Sequence, residues 1–165
     1  MAPTLPLPHR MLFVRDLLRC ETLPADSAML DPALRCFVFG NPPQRLERVR
    51  CLGTVVRRHE VPVKDGAVER LVYLDDGSGL IPVVLPRSME GAPGPSGPSV
   101  TWRCESCGPE AGDTVEIFGS LHSGEHPALA DVDPTQRYIC AASWVAERNP
   151  LQESYRSLEI QQLCA

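Results

Sequence analysis

Residues 46–61 read LERVRCLGTVVRRHEV, and residues 67–85 read AVERLVYLDDGSGLIPVVL. In the first segment Val49, Cys51 and Val55 recur on one side with arginines between them, which is the alternation of a strand with one buried face. The stretches KDG and DDGSG, which follow the first and second apolar runs, have the composition of tight turns. The sequence therefore predicts three consecutive strands joined by hairpin turns.

Two later segments continue this pattern. Residues 113–122 (DTVEIFGSLH) alternate in the same way, and residues 135–145 supply another apolar strand. Gly53 in the first strand and Gly119 in the fourth mark places where a closing sheet must bend. The sequence predicts an all-β fold with flanking helices, a five-stranded Greek-key barrel of the oligonucleotide-binding (OB) kind. Two packed sheets are the alternative architecture.

Both ends of the chain predict helices. Residues 9–20 have apolar positions at helical spacing, followed by a loop over 21–34 and a short strand over 35–39. Near the C-terminus, Asn149 is suited to cap a helix. The sequence thus divides into an N-terminal arm and helix (1–34), a barrel (35–148) with a Gly/Pro-rich insertion (86–112), and a C-terminal interaction helix (149–165).

Length and charge restrict the function. A chain of 165 residues suits one domain and leaves no room for a second, catalytic one. Its net charge of −5 repels polyanions, so contact with nucleic acid requires a local basic patch or a partner. The 7 cysteines, without a secretory signal, predict reduced thiols inside the cell, and no stretch approaches the ~20 apolar residues of a membrane span.

The order of these segments resembles a known family. FVFGNPPQRLERVRCLGTVVRRHE is followed by LVYLDDGSGLIPVVL, by EAGDTVEIFGSLH and by a final helix, and LFVRDLL precedes them. This order is similar to the OB-fold domain of the middle subunit (suppressor of cdc thirteen, STN) of the telomeric CST complex, which is related to the middle subunit of replication protein A. The resemblance covers residues 11–163.

This resemblance implies a non-enzymatic subunit in the nucleus, at the telomere of the chromosome, without a cofactor. It implies a small OB-fold partner (TEN), a large subunit (conserved telomere maintenance component, CTC) and an assembly that binds single-stranded telomeric DNA. Such an assembly recruits DNA polymerase alpha and primase for fill-in of the complementary strand. The layout also resembles the second subunit of the RecQ-mediated genome instability complex, which implies a protein-only scaffold as the alternative.

Basic and aromatic residues on the first two strands are the candidates for DNA contact. In an OB barrel, strands two and three with the loops beside them form the binding face, where arginine offsets phosphate charge and an aromatic ring stacks on a base. The DNA-binding candidates are Arg57, Arg58, Arg70 and Tyr73. In the alternative interpretation the arginines form surface salt bridges and Tyr73 lies in the core.

The terminal helix has apolar residues on two sides. Leu151, Tyr155 and Leu158 form one stripe, and Ile160 lies on a different side. A helix that is apolar on two sides can pack on its own domain and still present a face to a partner. The candidates for the partner interface are Leu151, Tyr155, Leu158 and Ile160.

The adjacent carboxylates Asp75 and Asp76 precede glycines. Oxygen ligands of this kind can hold a metal ion, but two are too few, and Asp and Gly are what a tight turn requires. We therefore expect a turn here.

A C-x-x-C pair, Cys104 and Cys107, lies in the insertion. His122 and His126 follow at a spacing that a zinc site can use, so a Cys-Cys-His-His site is one interpretation, and a thiol-active pair is another. We favour ordinary loop cysteines and no metal. The sequence contains no nucleophile elbow, phosphate loop or dinucleotide-binding pattern, so we expect no enzyme activity.

Overall fold

A computed structural model of the chain describes residues 10–23, 36–41, 43–62, 68–85, 108–129, 136–147, 149, 151, 154–155 and 158–160. One α-helix is described without a gap, α1 (Val14–Arg19). The strands of the described residues are β1 (Arg10–Met11), β2 (Glu21–Leu23), β3 (Cys36–Phe39), β4 (Gln44–Leu46), β5 (Val49–Pro62), β6 (Val68–Asp75), β7 (Leu80–Leu85), β8 (Thr114–Ser123) and β9 (Arg137–Ala146).

Five of these strands close into a barrel. Neighbouring strands pair in the order β5-β6-β7-β9-β8, and β8 pairs in turn with β5. β7 and β9 run parallel, and the other pairs run antiparallel. β5 reaches both of its neighbours because the half before Thr54 pairs with β8 and the half after it pairs with β6. This closed Greek-key order confirms the predicted OB fold, and the alternative of two packed sheets is wrong for these strands.

Two glycines lie where strands approach closely. A Cβ on Gly53 would stand 2.6 Å from the carbonyl oxygen of Asp75. A Cβ on Gly119 would collide with the carbonyl oxygen of Cys140, and the β8–β9 register shifts immediately before this glycine. The bend predicted at Gly119 is confirmed. In β5 the register shift begins two residues beyond Gly53, whose role is instead the close approach to β6.

Aliphatic side chains fill the barrel. The alternation predicted for β5 is confirmed, because Val49, Cys51 and Val55 are fully buried. The other fully buried side chains of the barrel strands include Val72, Leu74, Ile81, Val83, Val115, Ile117 and Ile139. A second apolar cluster is made of Leu71, Val84, Leu129 and Tyr138. β6, β7 and β9 therefore bury apolar side chains on both of their faces.

The N-terminal helix is shorter than the sequence predicts. The predicted range was 9–20, but α1 begins at Val14, because the preceding residues pair with β5. The amide of Arg10 donates to the carbonyl oxygen of Arg48 at 3.0 Å, and the amide of Leu12 donates to that of Arg50 at 3.2 Å. This parallel pairing satisfies the backbone before the helix begins.

The barrel holds α1 at both ends. Asp76, in the turn between β6 and β7, accepts a hydrogen bond from the amide of Val14 at 2.8 Å. Arg137, at the start of β9, donates to the carbonyl oxygens of Leu17 and Cys20. Because Val14 and Leu17 are also fully buried in the core cluster, α1 packs firmly on the barrel.

A small antiparallel sheet with the order β2-β3-β4 lies beside the barrel. The strand predicted over 35–39 is confirmed as β3, whereas the loop predicted over 21–34 is wrong at its start, because β2 pairs with β3. Phe37 of β3 is buried, and the guanidinium of Arg137 lies 5.4 Å from its ring centroid. The division of the chain at residue 34 remains a prediction.

Two further predictions concern the insertion and the C-terminal helix. Residues 86–107 lie outside the described residues, and Gly112 then rejoins the barrel by donating to the carbonyl oxygen of Val55 at 2.7 Å. Residues 151, 154–155 and 158–160 are helical, and the side chain of Asn149 accepts the amide of Leu151 at 3.0 Å, as the predicted cap requires. Within the ranges described, no helix has the length and hydropathy to cross a membrane.

Candidate nucleic-acid and partner surfaces

The outward-pointing residues of β5, β6 and β7 share one surface. Arg57 lies opposite Tyr73 and His59 lies opposite Leu71 in the β5–β6 pair, and Leu71 lies opposite Val84 in the β6–β7 pair. Residues directly opposite each other in a sheet point to the same side. These five residues therefore define what we call the outer face, and two of its strands, β6 and β7, are the second and third barrel strands that OB folds use to bind oligonucleotides.

One end of the outer face is open. Arg57 is exposed, and His59 and Tyr73 are half-buried. The rings of His59 and Tyr73 meet edge to face, with centroids 6.0 Å apart and planes at 78°. Among the residues the structure describes, the Arg57 side chain takes part in no ion pair or hydrogen bond. A guanidinium with no counter-ion among the described residues thus lies beside a histidine–tyrosine pair.

The sequence analysis missed His59. The signal was present, because the alternation that turns Arg57 outward turns the residue two positions later outward as well.

The other arginine candidates lie on the opposite side of the β5–β6 ribbon. Arg58 lies opposite Val72, which is fully buried in the barrel, and Arg70 lies opposite Glu60. Arg58 Nη2 donates to Glu60 Oε1 at 2.7 Å, and Arg70 Nε lies 3.8 Å from the same oxygen. The structure thus brings Arg57 and Tyr73 together on the outer face, and it separates Arg58 and Arg70 from them.

The other end of the outer face is covered by residues 124–129, which we call the cover segment. Ala128 and Leu129 are buried, and Leu129 packs with Leu71, Val84 and Tyr138. Within the cover segment, His126 Nδ1 accepts the amide of Ala128 at 3.2 Å. It hides the apolar centre of the outer face from solvent.

Two histidines of the possible zinc site belong to this covered region. The ring of His122 stacks on that of Tyr138 at 5.5 Å between centroids, and the ring of His126 meets the same tyrosine at 5.3 Å. His122 Nε2 lies 2.8 Å from Ser120 Oγ. Burial lowers the pKa of His122, and the neighbouring His126 lowers this pKa further. Both histidines thus pack against a tyrosine.

The cysteines of that possible site, Cys104 and Cys107, lie outside the described residues. In the part of the chain that is described, no group of three or more His, Cys, Asp or Glu residues is arranged to hold a metal ion. Burial raises the pKa of the Cys20 thiol to about 11 and raises that of the Cys51 thiol beyond this. These two thiols are therefore poor nucleophiles.

The acidic pair at the end of β6, Asp75 and Asp76, forms the turn that the sequence predicts. Asp75 Oδ1 accepts the amide of Gly77 at 2.7 Å, and Asp76 Oδ1 accepts the amide of Ser78 at 2.9 Å. Gly77 has a φ of 79°, in the left-handed region that favours glycine. Since the other Asp76 oxygen binds the start of α1, both carboxylates serve the backbone.

The C-terminal helix exposes a large apolar surface. Leu151 is 60% exposed, Tyr155 62% and Leu158 57%, and we call these three residues the helix stripe. Ile160, in contrast, is only 6% exposed and is buried within the chain's own fold. The structure thus places three of the four interface candidates on the surface and separates Ile160 from them.

Comparisons with known proteins agree on the fold. The chain is similar to a chain of the S. pombe Stn1–Ten1 complex, with a TM-score of 0.61 and 14% identity over 92% of this chain and 88% of that one. It is also similar to a chain of a replication protein A heterotrimer bound to single-stranded DNA, with a TM-score of 0.59 and 14% identity over 94% and 95% of the two chains. The expected resemblance to these proteins is confirmed for the fold. No protein-family model and no curated protein sequence matches the chain.

Proposed function

We propose that this chain is a non-enzymatic subunit of a CST-type complex that caps telomeres and works on single-stranded DNA in the nucleus. The observation that carries the proposal is the helix stripe on an OB barrel, with three large apolar side chains more than half exposed on one short helix. The similarity in fold to a chain of the Stn1–Ten1 complex along most of both chains supports it.

The helix stripe is the proposed contact with a TEN-like small OB-fold subunit. Exposed apolar side chains gain about 25 cal/mol per Å² on burial, and a stable interface needs roughly 800 Å² from each partner. The stripe supplies the apolar centre of such an interface, and the barrel side next to the helix supplies the rest. A CTC-like large subunit completes the proposed assembly.

Contact with DNA is proposed for the assembly as a whole. The net charge of −5 opposes binding of a polyanion by the isolated chain, whereas a partner can supply further basic residues. In this proposal the outer face of the chain contributes Arg57 and Tyr73 to the strand path. The assembly then recruits DNA polymerase alpha–primase for fill-in synthesis at telomeres.

Co-purification tests the proposal. The chain, tagged and expressed with a TEN-like subunit, is expected to form a stable complex, and the double variant Tyr155→Asp/Leu158→Asp is expected to lose it. Ile160→Ala is the matched comparison, because this buried residue affects folding rather than the partner surface. If the double variant retains the complex with a normal circular dichroism spectrum, the helix stripe is not the interface.

A protein-only scaffold, similar to the second subunit of the RecQ-mediated complex, is the second candidate. It is favoured by the pairing of Arg58 and Arg70 with Glu60, which leaves few arginines on this ribbon available for phosphate. The affinity of the assembly for single-stranded DNA, measured over a series of salt concentrations, separates the two functions. A scaffold gives no salt-dependent binding in any assembly, whereas a CST-type subunit contributes to a clear slope.

A further inference from the structure

We infer that the cover segment is a proton-sensitive lid, which lies on the apolar centre of the outer face while His122 and His126 are neutral and leaves it when they are protonated. The inference goes beyond the proposed function, because it concerns the isolated chain and requires neither DNA nor a partner. A cluster of titratable side chains that the proposed function does not use carries it. The cluster lies at the covered end of the outer face and consists of His122, His126, Tyr138, Cys140 and Glu69.

Apolar packing holds the cover segment on the outer face. Leu129 is 6% exposed and packs with Leu71, Val84 and Tyr138. The amide of Leu129 donates to the carbonyl oxygen of His126 at 2.8 Å, so this hydrogen bond lies within the segment. A short segment that packs through a leucine and keeps this hydrogen bond internal can open locally without breaking a strand pairing.

The cover segment begins at a glycine that can serve as a hinge. β8 ends at Ser123, and Gly124 follows with a φ of 110°, in the region that favours glycine. A Cβ at Gly124 would meet no atom within 4 Å. Backbone rotation at this position therefore moves the segment without disturbing the end of β8.

The closed position requires a neutral His126. Its Nδ1 accepts the amide of Ala128 at 3.2 Å, and a ring nitrogen that accepts a hydrogen bond carries no proton. The same Nδ1 lies 3.7 Å from Glu69 Oε2 of β6, beyond hydrogen-bond distance. A proton on Nδ1 removes the acceptor of the Ala128 amide and draws the ring towards Glu69. Because Ala128 is buried, its amide regains a partner only when the segment opens to water.

His122 is a second group that resists a proton in the closed position. Its ring stacks on that of Tyr138, with centroids 5.5 Å apart, and its Nε2 lies 2.8 Å from Ser120 Oγ. Burial lowers the pKa of His122 from its ordinary value of 6.5, and the neighbouring His126 lowers it further. The open state returns this ring to water and therefore binds the proton more readily. The closed state loses stability as the pH falls below about 6.5.

The other titratable and charged groups described near the two histidines agree with this direction. Burial raises the pKa of Tyr138, and burial together with Glu69 raises that of Cys140, so both side chains stay neutral below pH 8. Arg137 precedes Tyr138 in β9 and points to the other side of the strand, where it donates to carbonyl oxygens of α1 and the residue that follows it. Of the two carboxylates, Glu125 is exposed, and Glu69 attracts the proton that breaks the hydrogen bond within the segment.

Amide hydrogen exchange of the full ¹⁵N-labelled chain between pH 7.5 and 5 tests the lid, with each rate divided by that of an unstructured peptide at the same pH. The protection of the Leu129 amide is expected to fall below pH 6.5, by up to about tenfold per pH unit for each proton bound. The amides of the central strand β6 are expected to keep their protection. Protection of Leu129 that does not change with pH would overturn the inference. An equal loss in β6 would overturn it as well, because the whole barrel would then be unfolding.

Long-range ¹H–¹⁵N spectra of the histidine rings test the geometry on the same sample. At neutral pH, His126 is expected to carry its proton on Nε2 and none on Nδ1, because Nδ1 accepts the Ala128 amide. A proton on Nδ1 at neutral pH would overturn the inference, since the closed position would then already accommodate it.

Variants of the full chain separate the lid from a general effect of acid. His126→Asn offers an amide oxygen near the place of Nδ1 and cannot be protonated, so combined with His122→Phe it is expected to abolish the pH dependence of Leu129 protection. His59→Phe, at the open end of the outer face, is the matched control and is expected to keep it. A double variant with the native pH dependence, or a control that loses it, would overturn the inference. If the double variant does not fold, the two measurements on the native chain decide.

These measurements are independent of the proposed function. Because they use the isolated chain without DNA or a partner, failure of the lid leaves the proposed assembly as it stands. Loss of the complex in the co-purification experiment, in turn, leaves the lid untouched, since the helix stripe and the cover segment are different parts of the chain.

Discussion

The two sides of the β5–β6 ribbon carry similar side chains in different states. On the outer face, Arg57 has no described ion-pair partner and lies beside the half-buried Tyr73. On the side that faces the barrel, Arg58 and Arg70 share the carboxylate of Glu60. Arg57 and Arg58, which are adjacent in the sequence, thus lie on different surfaces. Of these three arginines, only Arg57 has a guanidinium that is not paired with a carboxylate among the described residues.

This difference shows that the alternation of side chains along a strand determines which arginine is available to a ligand. Arg57 and Arg58 are adjacent in the chain, and a count of basic residues treats them alike. Successive side chains of a strand point to opposite faces, so only one of the two can lie with Tyr73. The register of β5 against β6, which is irregular just before Arg57, decides which one it is.

The largest expected effect contrasts two neighbours on β6. Leu74 is fully buried inside the barrel, and Leu74→Ala is expected to lower the free energy of unfolding by about 2–5 kcal/mol. Tyr73→Ala, on the outer face, is expected to cost clearly less stability. Urea unfolding followed by circular dichroism measures both. Equal losses for the two variants would mean that Tyr73 is a core residue.

The next effect concerns the close approach of β5 to β6 at Gly53. Gly53→Ala places a methyl group 2.6 Å from the carbonyl oxygen of Asp75, and the backbone must shift to accommodate it. We expect a loss of about 1–3 kcal/mol in the same unfolding measurement. Thr54→Ala, at the next position, is the control and is expected to cost less. A stable Gly53→Ala variant would show that the two strands do not approach this closely.

A smaller effect is expected when the carboxylate on the barrel side is neutralised. Glu60→Gln removes the charge that holds Arg58 and Arg70, and because Glu60 is largely exposed the stability changes by at most about 1 kcal/mol. Binding of single-stranded DNA by the assembly should not change, since both arginines remain on the wrong side. Tighter binding by this variant would place Arg58 or Arg70 on the strand path.

The smallest effect is a pH dependence at the covered end of the outer face. Burial lowers the pKa of His122 in the folded chain relative to its ordinary value of 6.5. The unfolded chain therefore binds the proton more readily, and the folded chain loses stability as the pH falls below about 6.5 towards the lower pKa of His122 in the folded state. Thermal unfolding between pH 5 and 8 should show a weaker pH dependence for His122→Phe than for the native chain. An unchanged profile would contradict this assignment.

Local pattern was sufficient to predict the barrel. The apolar alternation of β5 and the composition of the turns gave the right strands, and the Asp75–Asp76 turn and the Asn149 cap follow from side-chain chemistry alone. The N-terminal helix was predicted too long because Arg10 and Met11 pair with a strand distant in the sequence. β2 was missed for the same reason, since its partner lies beyond a long connection.

The candidate site was predicted only in part. Arg57 and Tyr73 were found from residue type, but the approach of Arg70 to Glu60 depends on the β5–β6 register, which the sequence does not display. The cover segment depends on tertiary packing of Leu129 on β6 and β7. The helix stripe was found because helical periodicity separates Ile160 from the other three apolar positions.

Photocrosslinking tests the central claim most directly. The assembly of this chain with its partners is bound to single-stranded DNA carrying iododeoxyuridine, irradiated and digested, and the crosslinked peptides are identified by mass spectrometry. A peptide containing Tyr73, lost in Tyr73→Leu, is the result expected for a barrel that presents its outer face to the strand. If the assembly binds the DNA and every crosslink falls on other subunits, this chain does not lie on the strand path.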